Sequence, residues 1–214
     1  MARSGAKRRA GGSTDAAHDA RTRLVKAAVE ILQEKGFAAA SAREVAARAG
    51  CSQSLVFYHF GSVVDLLLAA LDSVSEARRV RYQAAVDEAG GVAELAATAR
   101  TVFEEDLDRG YAAVLVEMIS GASTTPGLGP EIARRIAPWR DFAAGAASRA
   151  LAGSPVDGAV PPEAVAHGMV ALYLGLEMLA NLEGDRAPAL AVFDQIDVAA
   201  ALLELLGGTR SDET

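Results

Sequence analysis

Apolar residues recur along this chain at intervals of three and four, the spacing of one helical face. Leu24, Ala28, Ile31 and Leu32 predict a first helix over Asp19 to Lys35, and Gly36 stands where a left-handed C-terminal cap is wanted. Ser41-Ala42-Arg43-Glu44 fits a capping box, in which Ser41 accepts from the third amide and Glu44 reaches back to the cap's own amide. A short helix to about Arg48 follows, broken by Gly50; Ser52 caps the next, which carries Leu55, Val56 and Phe60. From Ser62 a longer pattern (Val63, Leu66, Leu67, Ala70, Leu71, Val74) runs to Gly90-Gly91. Further helical stretches are expected at about 92 to 108, 110 to 122, 129 to 152, 162 to 183 and 188 to 206, divided by Gly110, TTPGLGP, GSPVDGAVPP and EGDRAP. No strand-like alternation competes, so the fold class is all-α.

This pattern divides the chain. Residues 1 to 18 are rich in Gly, Ser, Ala and basic side chains without apolar periodicity, which predicts a flexible tail. A helix-turn-helix domain is expected over 19 to 65, a C-terminal helical bundle over 66 to 207, and a flexible end over 208 to 214. Two short helices joined by a Gly-containing turn are the minimum device for seating a helix in a DNA major groove: the first crosses the backbone, the second presents side chains to base edges. Val45, Ala46, Ala49, Cys51, Val56 and Phe60 can pack on the first helix, leaving Arg43, Gln53, Ser54, Leu55, Tyr58 and His59 facing elsewhere with no acid among them. A duplex accepts all of these. Arg pairs with guanine and Gln with adenine, Leu covers a thymine methyl, and Ser, Tyr and His donate to phosphate.

Charge supports the same division. The formal net charge is −7, yet residues 1 to 65 hold ten Lys/Arg against six acids, a net +4, so the other 149 residues carry −11. A basic head on an acidic body suits a protein whose one end approaches a polyanion, although chance asymmetry produces the same figures. With 51% hydrophobic residues and no uninterrupted apolar run of membrane-spanning length, a cytoplasmic protein with no membrane partner is expected. Cys51 is the one cysteine, which excludes an internal disulfide, and His18, His59 and His167 are too scattered for a zinc site. A thiol switch at Cys51 competes with a plain small hydrophobe in the turn. No GxSxG, P-loop or GxGxxG and no His/Asp pair beside a nucleophile appear, so neither enzyme nor cofactor is expected.

The stretch RTRLVKAAVEILQEKGFAAASAREVAARAGCSQSLVFYHFGSVVDLLLAAL resembles the N-terminal domain of the TetR family of transcriptional regulators: an AA-containing first helix ending in Gly-Phe, then VA..AG, then the aromatic run ending in YHF before Gly-Ser. The resemblance covers residues 21 to 71 and implies a DNA-binding regulator, most often a ligand-responsive repressor, that holds a near-palindromic double-stranded operator as a dimer; a constitutive or activating regulator has the same fold. Position by position it implies base contacts by Arg43, Gln53, Ser54 and Leu55 and backbone contacts by Tyr58 and His59. Ser41, Ser52, Phe57 and Ser62 complete the candidate DNA set. The sequence departs at two places. Phe57 stands where a Tyr is usual, and Val63 where a lysine commonly clamps phosphate, leaving Ser62 and the amides at the start of the fourth helix to hold the anion.

Beyond residue 71 the resemblance is one of architecture only, implying a bundle that dimerises and encloses a small-molecule effector. In the helix from Pro162 to Glu183, Gly168 and Gly175 share a stripe with Leu172 and Leu179; with Phe193, Ile196 and Leu203 of the last helix they form the candidate homodimer interface, against which packing within the chain is the alternative. Candidate pocket residues for an apolar or amphipathic ligand are Phe103, Leu107, Met118, Trp139, Phe142, Tyr173 and Met178, any of which also suits ordinary core. Glu117 is the polar candidate, lying among Val114, Leu115, Val116, Met118 and Ile119; a rim position or a pair with Arg134 or Arg140 is the alternative.

The basic tail (Arg3, Lys7, Arg8, Arg9) is positioned to lie along a duplex. Its removal is expected to reduce the slope of log affinity against log salt by about one for each phosphate the tail neutralises. Binding titrations at several salt concentrations check this, and an unchanged slope excludes the tail from the complex.

Overall fold

The computed structural model describes residues 9–89, 91–152 and 158–208. Among them are nine α-helices and no strand: α1 (Arg9–Lys35), α2 (Ala42–Arg48), α3 (Gln53–Phe60), α4 (Val63–Glu88), α5 (Val92–Arg109), α6 (Tyr111–Ala122), α7 (Leu128–Leu151), α8 (Pro162–Glu183) and α9 (Ala187–Gly208), with a 3-10 turn at Phe37–Ala39. The all-α class and the order of elements are those the apolar periodicity predicts. The start of α1 is different, since helix begins at Arg9 rather than Asp19. Once a docked helix exists, each added residue gains a hydrogen bond without a new nucleation cost, so alanine-rich flanking sequence joins it. The deletion that tests the tail without cutting a helix is therefore residues 1–8. Those residues, and 209–214 of the expected flexible end, lie outside the described residues.

The chain forms two compact units. The N-terminal unit comprises residues 1–74 and 117–129, the C-terminal unit residues 75–116 and 130–214, so the divisions fall within α4, within α6 and at the start of α7 rather than at residue 65.

In the N-terminal unit, Leu24, Ala28, Ile31 and Leu32 of α1 are fully buried together with Val45 and Ala46 of α2, Val56 of α3 and Leu66, Leu67 and Ala70 of α4. Gly36 ends α1 at φ 78°, its amide donating to the Ile31 and Leu32 carbonyls. The turn between α2 and α3 is a Schellman motif: the Gly50 amide donates to Ala47 and the Cys51 amide to Ala46, with Gly50 at φ 62°. A side chain at Gly50 is strained in that conformation, so this glycine sets the angle between the two short helices. Ser41 caps α2 by accepting from the Glu44 amide. The expected return bond from Glu44 is absent: Glu44 pairs with Lys35, and the Ser41 amide donates to the Ala39 carbonyl instead. Arg48 reaches Glu34 at 2.7 Å, giving a second polar tie between α2 and α1.

The last part of α6 belongs to this unit. Glu117 Oε2 accepts from the Phe37 amide at 2.9 Å, and a β-carbon at Gly36 would lie 2.7 Å from the same oxygen. Gly121 lies directly beneath the Phe37 ring, where a β-carbon would come within 2.5 Å. Glu117 thus caps the Gly36-Phe37 corner that follows α1, and its expected partners Arg134 and Arg140 are not involved; Arg134 pairs with Glu131.

In the C-terminal unit, α5, α8 and α9 pack around Phe103, Leu176, Ala180, Ala189 and Phe193, with Ala99, Leu107, Tyr173, Leu190, Val192 and Ile196 against them. Phe103 meets Phe193 at 5.0 Å and Tyr173 edge-on at 5.4 Å. Arg100 ties α5 to α9 through Asp194, and Arg186 reaches Asp108 at 2.6 Å. Phe193 was expected on a partner-facing surface but is only 4% exposed, and Ile196 packs beside the same core: a large ring flanked by alanines fills its own chain's interior. Gly168, Leu172 and Leu179 are exposed, Gly175 half-buried, and the side chain of Leu203 lies outside the described residues. Met169, Met178, Leu182, Val198 and Leu202 are also exposed, so α8 and α9 carry an uncovered apolar surface. By length and composition α8 could span a membrane, yet it buries Ala166, Leu176, Glu177 and Ala180 in the core.

Because the Phe37 amide has Glu117 as its acceptor, Glu117→Ala is expected to lower unfolding free energy by about 1–2 kcal/mol. Gly121→Ala forces the Phe37 ring aside and costs on the order of 1–3 kcal/mol. Urea unfolding followed by far-ultraviolet circular dichroism checks both; values within about 0.3 kcal/mol of the parent contradict the corner's role.

Candidate nucleic-acid interface and a buried polar cluster

The short helix α3 places its side chains by turning Val56 inward. Ser52, Gln53, Ser54, Phe57 and Tyr58 are then exposed, Tyr58 at 77%, while Leu55 is half-buried. Arg43 is exposed on the first turn of α2, one residue from the buried Ala42. Ser52 begins α3 without a side-chain cap bond, and its hydroxyl instead meets that of Ser54 at 2.9 Å. The first turn of α3 contains no acid. A helix start with open amides and an arginine, a glutamine and hydroxyls beside it is suited to enter a groove lined by acceptors.

Two candidates sit differently from expectation. His59 is half-buried between the edges of Tyr58 and Phe60, and its Nε2 is closed off from solvent without a hydrogen-bond partner among the described residues, so it does not present that nitrogen to a phosphate. Ser62 donates to Asp65 Oδ2 at 2.6 Å and accepts from the Asp65 amide at 3.0 Å. The start of α4 is thus closed by its own carboxylate. In this arrangement the Ser62 hydroxyl is engaged within its own helix start. The exposed Phe57 ring offers apolar contact but no hydroxyl donor.

A second constellation lies in the C-terminal unit. Asp106 of α5 is completely buried; its Oδ2 accepts from Arg78 Nη2 of α4 and from the Tyr173 hydroxyl of α8, and its Oδ1 accepts from the Tyr82 hydroxyl at 2.6 Å. Arg78 also donates to the Tyr173 hydroxyl at 3.3 Å and stacks 4.9 Å from the Trp139 ring of α7. Trp139 in turn meets Phe142 edge-on at 6.0 Å. One turn beyond Tyr173, Glu177 is completely buried, and neither carboxylate oxygen has a hydrogen-bond partner among the described residues. Burial pushes its carboxyl up to about 8, with Arg78 pulling it down, Asp106 pushing it further up and the nearby Tyr173 hydroxyl, outside hydrogen-bonding geometry, pulling it down slightly.

Of the pocket candidates, Phe103, Leu107, Trp139, Phe142 and Tyr173 lie in this unit around the core and cluster. Glu117 and Met118 belong to the other unit, and Met178 is 51% exposed on the outer side of α8. Arg78, Tyr82, Asp106 and Glu177 were not singled out from the sequence. Glu177 carried a signal, since it lies in LYLGLEMLA as isolated among apolar residues as Glu117 does in VLVEMI. Asp106 in FEEDLDR and Arg78 in ARRVR had none, because a charged neighbour of the same sign hides the buried one.

The fold and this interface define a helix-turn-helix DNA-binding protein with a separate all-helical C-terminal unit. Residues 24–70 match the family model described as bacterial regulatory proteins, tetR family. Structures sharing the fold include regulatory protein TetR from Rhodobacter sphaeroides (18% identity, TM-score 0.71, covering 83% of this chain and 97% of that one). A TetR-family member from Streptomyces coelicolor A3 is similar at 26% identity and TM-score 0.60 over 83% and 97%. The regulator FadR from Bacillus subtilis, in complex with stearoyl-CoA, is similar at 13% identity and TM-score 0.68 over 82% and 95%. A search of curated proteins finds no sequence match. Residues 24–70 thus form a DNA-binding domain of the tetR type, and the whole chain shares the fold of TetR-family regulators.

Glu177 gives the cluster a pH signature. Its carboxyl is raised in the folded chain, so the fold binds a proton that the unfolded chain releases. The stability this contributes is complete below the ordinary carboxylate range and is lost as pH rises towards about 8. Unfolding free energy is expected to fall between about pH 6 and about pH 8 by up to about 1.4 kcal/mol per unit, and Glu177→Gln removes that fall. Denaturant titrations of parent and variant across this range check the difference; identical slopes contradict it.

Proposed function

We propose that this chain is a cytoplasmic, ligand-responsive repressor that holds a near-palindromic operator as a homodimer and releases it when a small molecule enters the C-terminal unit. The observation that carries the ligand-responsive part is the buried Glu177 carboxylate without a hydrogen-bond partner among the described residues. A helical bundle that only dimerised would gain stability from an apolar residue there, since a buried carboxyl without hydrogen bonds costs free energy even when it is held protonated. A binding site tolerates such a group because the ligand completes it. Nothing in the two constellations supplies a nucleophile with a base, which favours a binding protein over an enzyme.

Arg43 and Gln53 are proposed to read base edges, with Ser41, Ser52, Ser54, Leu55 and Tyr58 beside them. The exposed apolar surface on α8 and α9 (Leu172, Leu179, Leu182, Val198, Leu202) is the proposed dimer interface, in place of Phe193 and Ile196. A two-fold dimer sets the two α3 helices about 34–36 Å apart, one turn of duplex. Release follows if the ligand favours a body conformation in which that spacing is lost. The physical route is α4, which buries Leu66, Leu67 and Ala70 in the N-terminal unit and, further along the same helix, holds Arg78 and Tyr82 in the cluster. The stearoyl-CoA of the Bacillus subtilis neighbour is not carried over, because at 13% identity that likeness speaks only for the fold.

The test is footprinting on an inverted repeat found in the DNA flanking the coding region. Arg43→Ala or Gln53→Ala is expected to weaken operator binding by about 1–3 kcal/mol per half-site and to relax sequence preference. Equal loss on every sequence would assign the residue to phosphate. In the same preparation Leu179→Glu is expected to give monomers by sedimentation and to lose the operator. Binding that no ligand alters would make the protein a constitutive regulator.

A further inference from the structure

We propose that Glu177 anchors a monocationic organic ligand, an amine or amidine on an apolar body, within the C-terminal unit; this rests on the reading of that unit as ligand-sensing. The balance of buried charge points to it. Arg78 brings one positive charge to the interior, and Asp106 takes it: the guanidinium and two tyrosine hydroxyls saturate that carboxylate. Glu177 is left as a second, equally buried carboxylate with neither oxygen hydrogen-bonded among the described residues. The groups that face it are Arg78 from α4, Asp106 from α5 and Tyr173 from α8, so with both acids ionised the cluster is one positive charge short.

Only two kinds of occupant restore neutrality: a proton, which the raised carboxyl holds at neutral pH, or a cation that donates hydrogen bonds. The surroundings favour the second as a ligand. Phe103, Tyr173, Trp139 and Phe142 supply aromatic faces and edges around the cluster, and Trp139 already accepts the Arg78 cation at 4.9 Å. Such rings attract cations and cover an apolar body. An anionic ligand would meet net negative charge. Glu177 is closed off from solvent, so a ligand reaching it must displace one of the surrounding helices, and α4 carries Arg78.

The experiment uses the full-length protein and its single tryptophan, Trp139, as reporter. Binding of 4-phenylbutylamine, 4-phenylbutan-1-ol and 4-phenylbutyrate is followed by tryptophan fluorescence near pH 8. The amine is expected to bind at least about tenfold more tightly than the alcohol, the size of a charge-assisted hydrogen bond, and the acid more weakly than either. Glu177→Gln is expected to bring amine and alcohol within about twofold, while the exposed Glu163→Gln leaves the amine's advantage intact. The parent protein gives an independent readout that needs no variant. Because the ammonium displaces a proton from Glu177, amine affinity should rise about tenfold per pH unit up to about 8, and alcohol affinity should not. A preference for the acid, an amine advantage that survives in Glu177→Gln, a pH-independent amine affinity, or no amine binding at about 10 mM each overturns the proposal. Amine binding at Glu177 that leaves operator affinity unchanged overturns the regulatory reading but not the ligand class. Operator release by 4-phenylbutyrate or stearoyl-CoA, with the amine inert, does the reverse.

Discussion

Helices of seven and eight residues do not persist alone in water, because forming the first turn costs more than so few hydrogen bonds return. The DNA-reading half of this protein depends on that constraint. α2 and α3 exist only while Val45, Ala46 and Val56 are buried against Leu24, Ala28, Ile31 and Leu32, so the surface they present is fixed by the core beneath it. The same docking that hides Val56 exposes Gln53, Ser54 and Tyr58. Gly50 sets the angle between the two helices through its left-handed backbone, and Glu117 with Gly121 holds the corner after α1. Reading head and fold are one arrangement, and a change in the support is a change in what the head can reach.

The C-terminal unit is organised by an opposite cost. Arg78 and Asp106 are charged groups withdrawn from water that satisfy each other, and beside them the Glu177 carboxyl is buried with neither oxygen hydrogen-bonded among the described residues. An apolar residue at that position on α8 would carry no such desolvation penalty. α4 joins the two halves covalently: its early turns complete the core under the reading head, and Arg78 lies farther along it. The head itself offers few of the usual phosphate donors at two positions. Phe57 and Val63 lack the usual donors, and Ser62 and Asp65 close the start of α4 on each other.

Most of the fold was legible because apolar periodicity and glycine punctuation are local signals. Leu24 to Leu32, Gly36, Gly50 and Gly110 placed helices and their ends to within a few residues. The extension of α1 back to Arg9 was not legible, because alanine-rich sequence has no periodic stripe to mark it. Nor was the capping of α2: Glu44 fits the box by spacing, but Lys35, nine residues earlier, competes for it in space. The exposed side of α3 was legible through its chemistry, an acid-free polar set on a short helix. The interior cluster was not, because it joins α4, α5 and α8, and a charged residue's burial depends on neighbours far away in the sequence. Glu117 and Glu177 show the limit. Both are lone acids in apolar helices, yet one caps a corner at Phe37 and the other is enclosed without a partner.

The proposed function turns on α3 entering the major groove with its first turn and reading base edges there. Dimethyl sulfate protection on the operator measures this most directly, since it reports guanine N7 in the major groove and adenine N3 in the minor. Protected guanine N7 positions are expected in two half-sites about one helical turn apart on one face of the duplex, with the protection opposite Arg43 abolished in Arg43→Ala. Protection confined to adenine N3, or none above that on unrelated DNA, would contradict major-groove reading by α3.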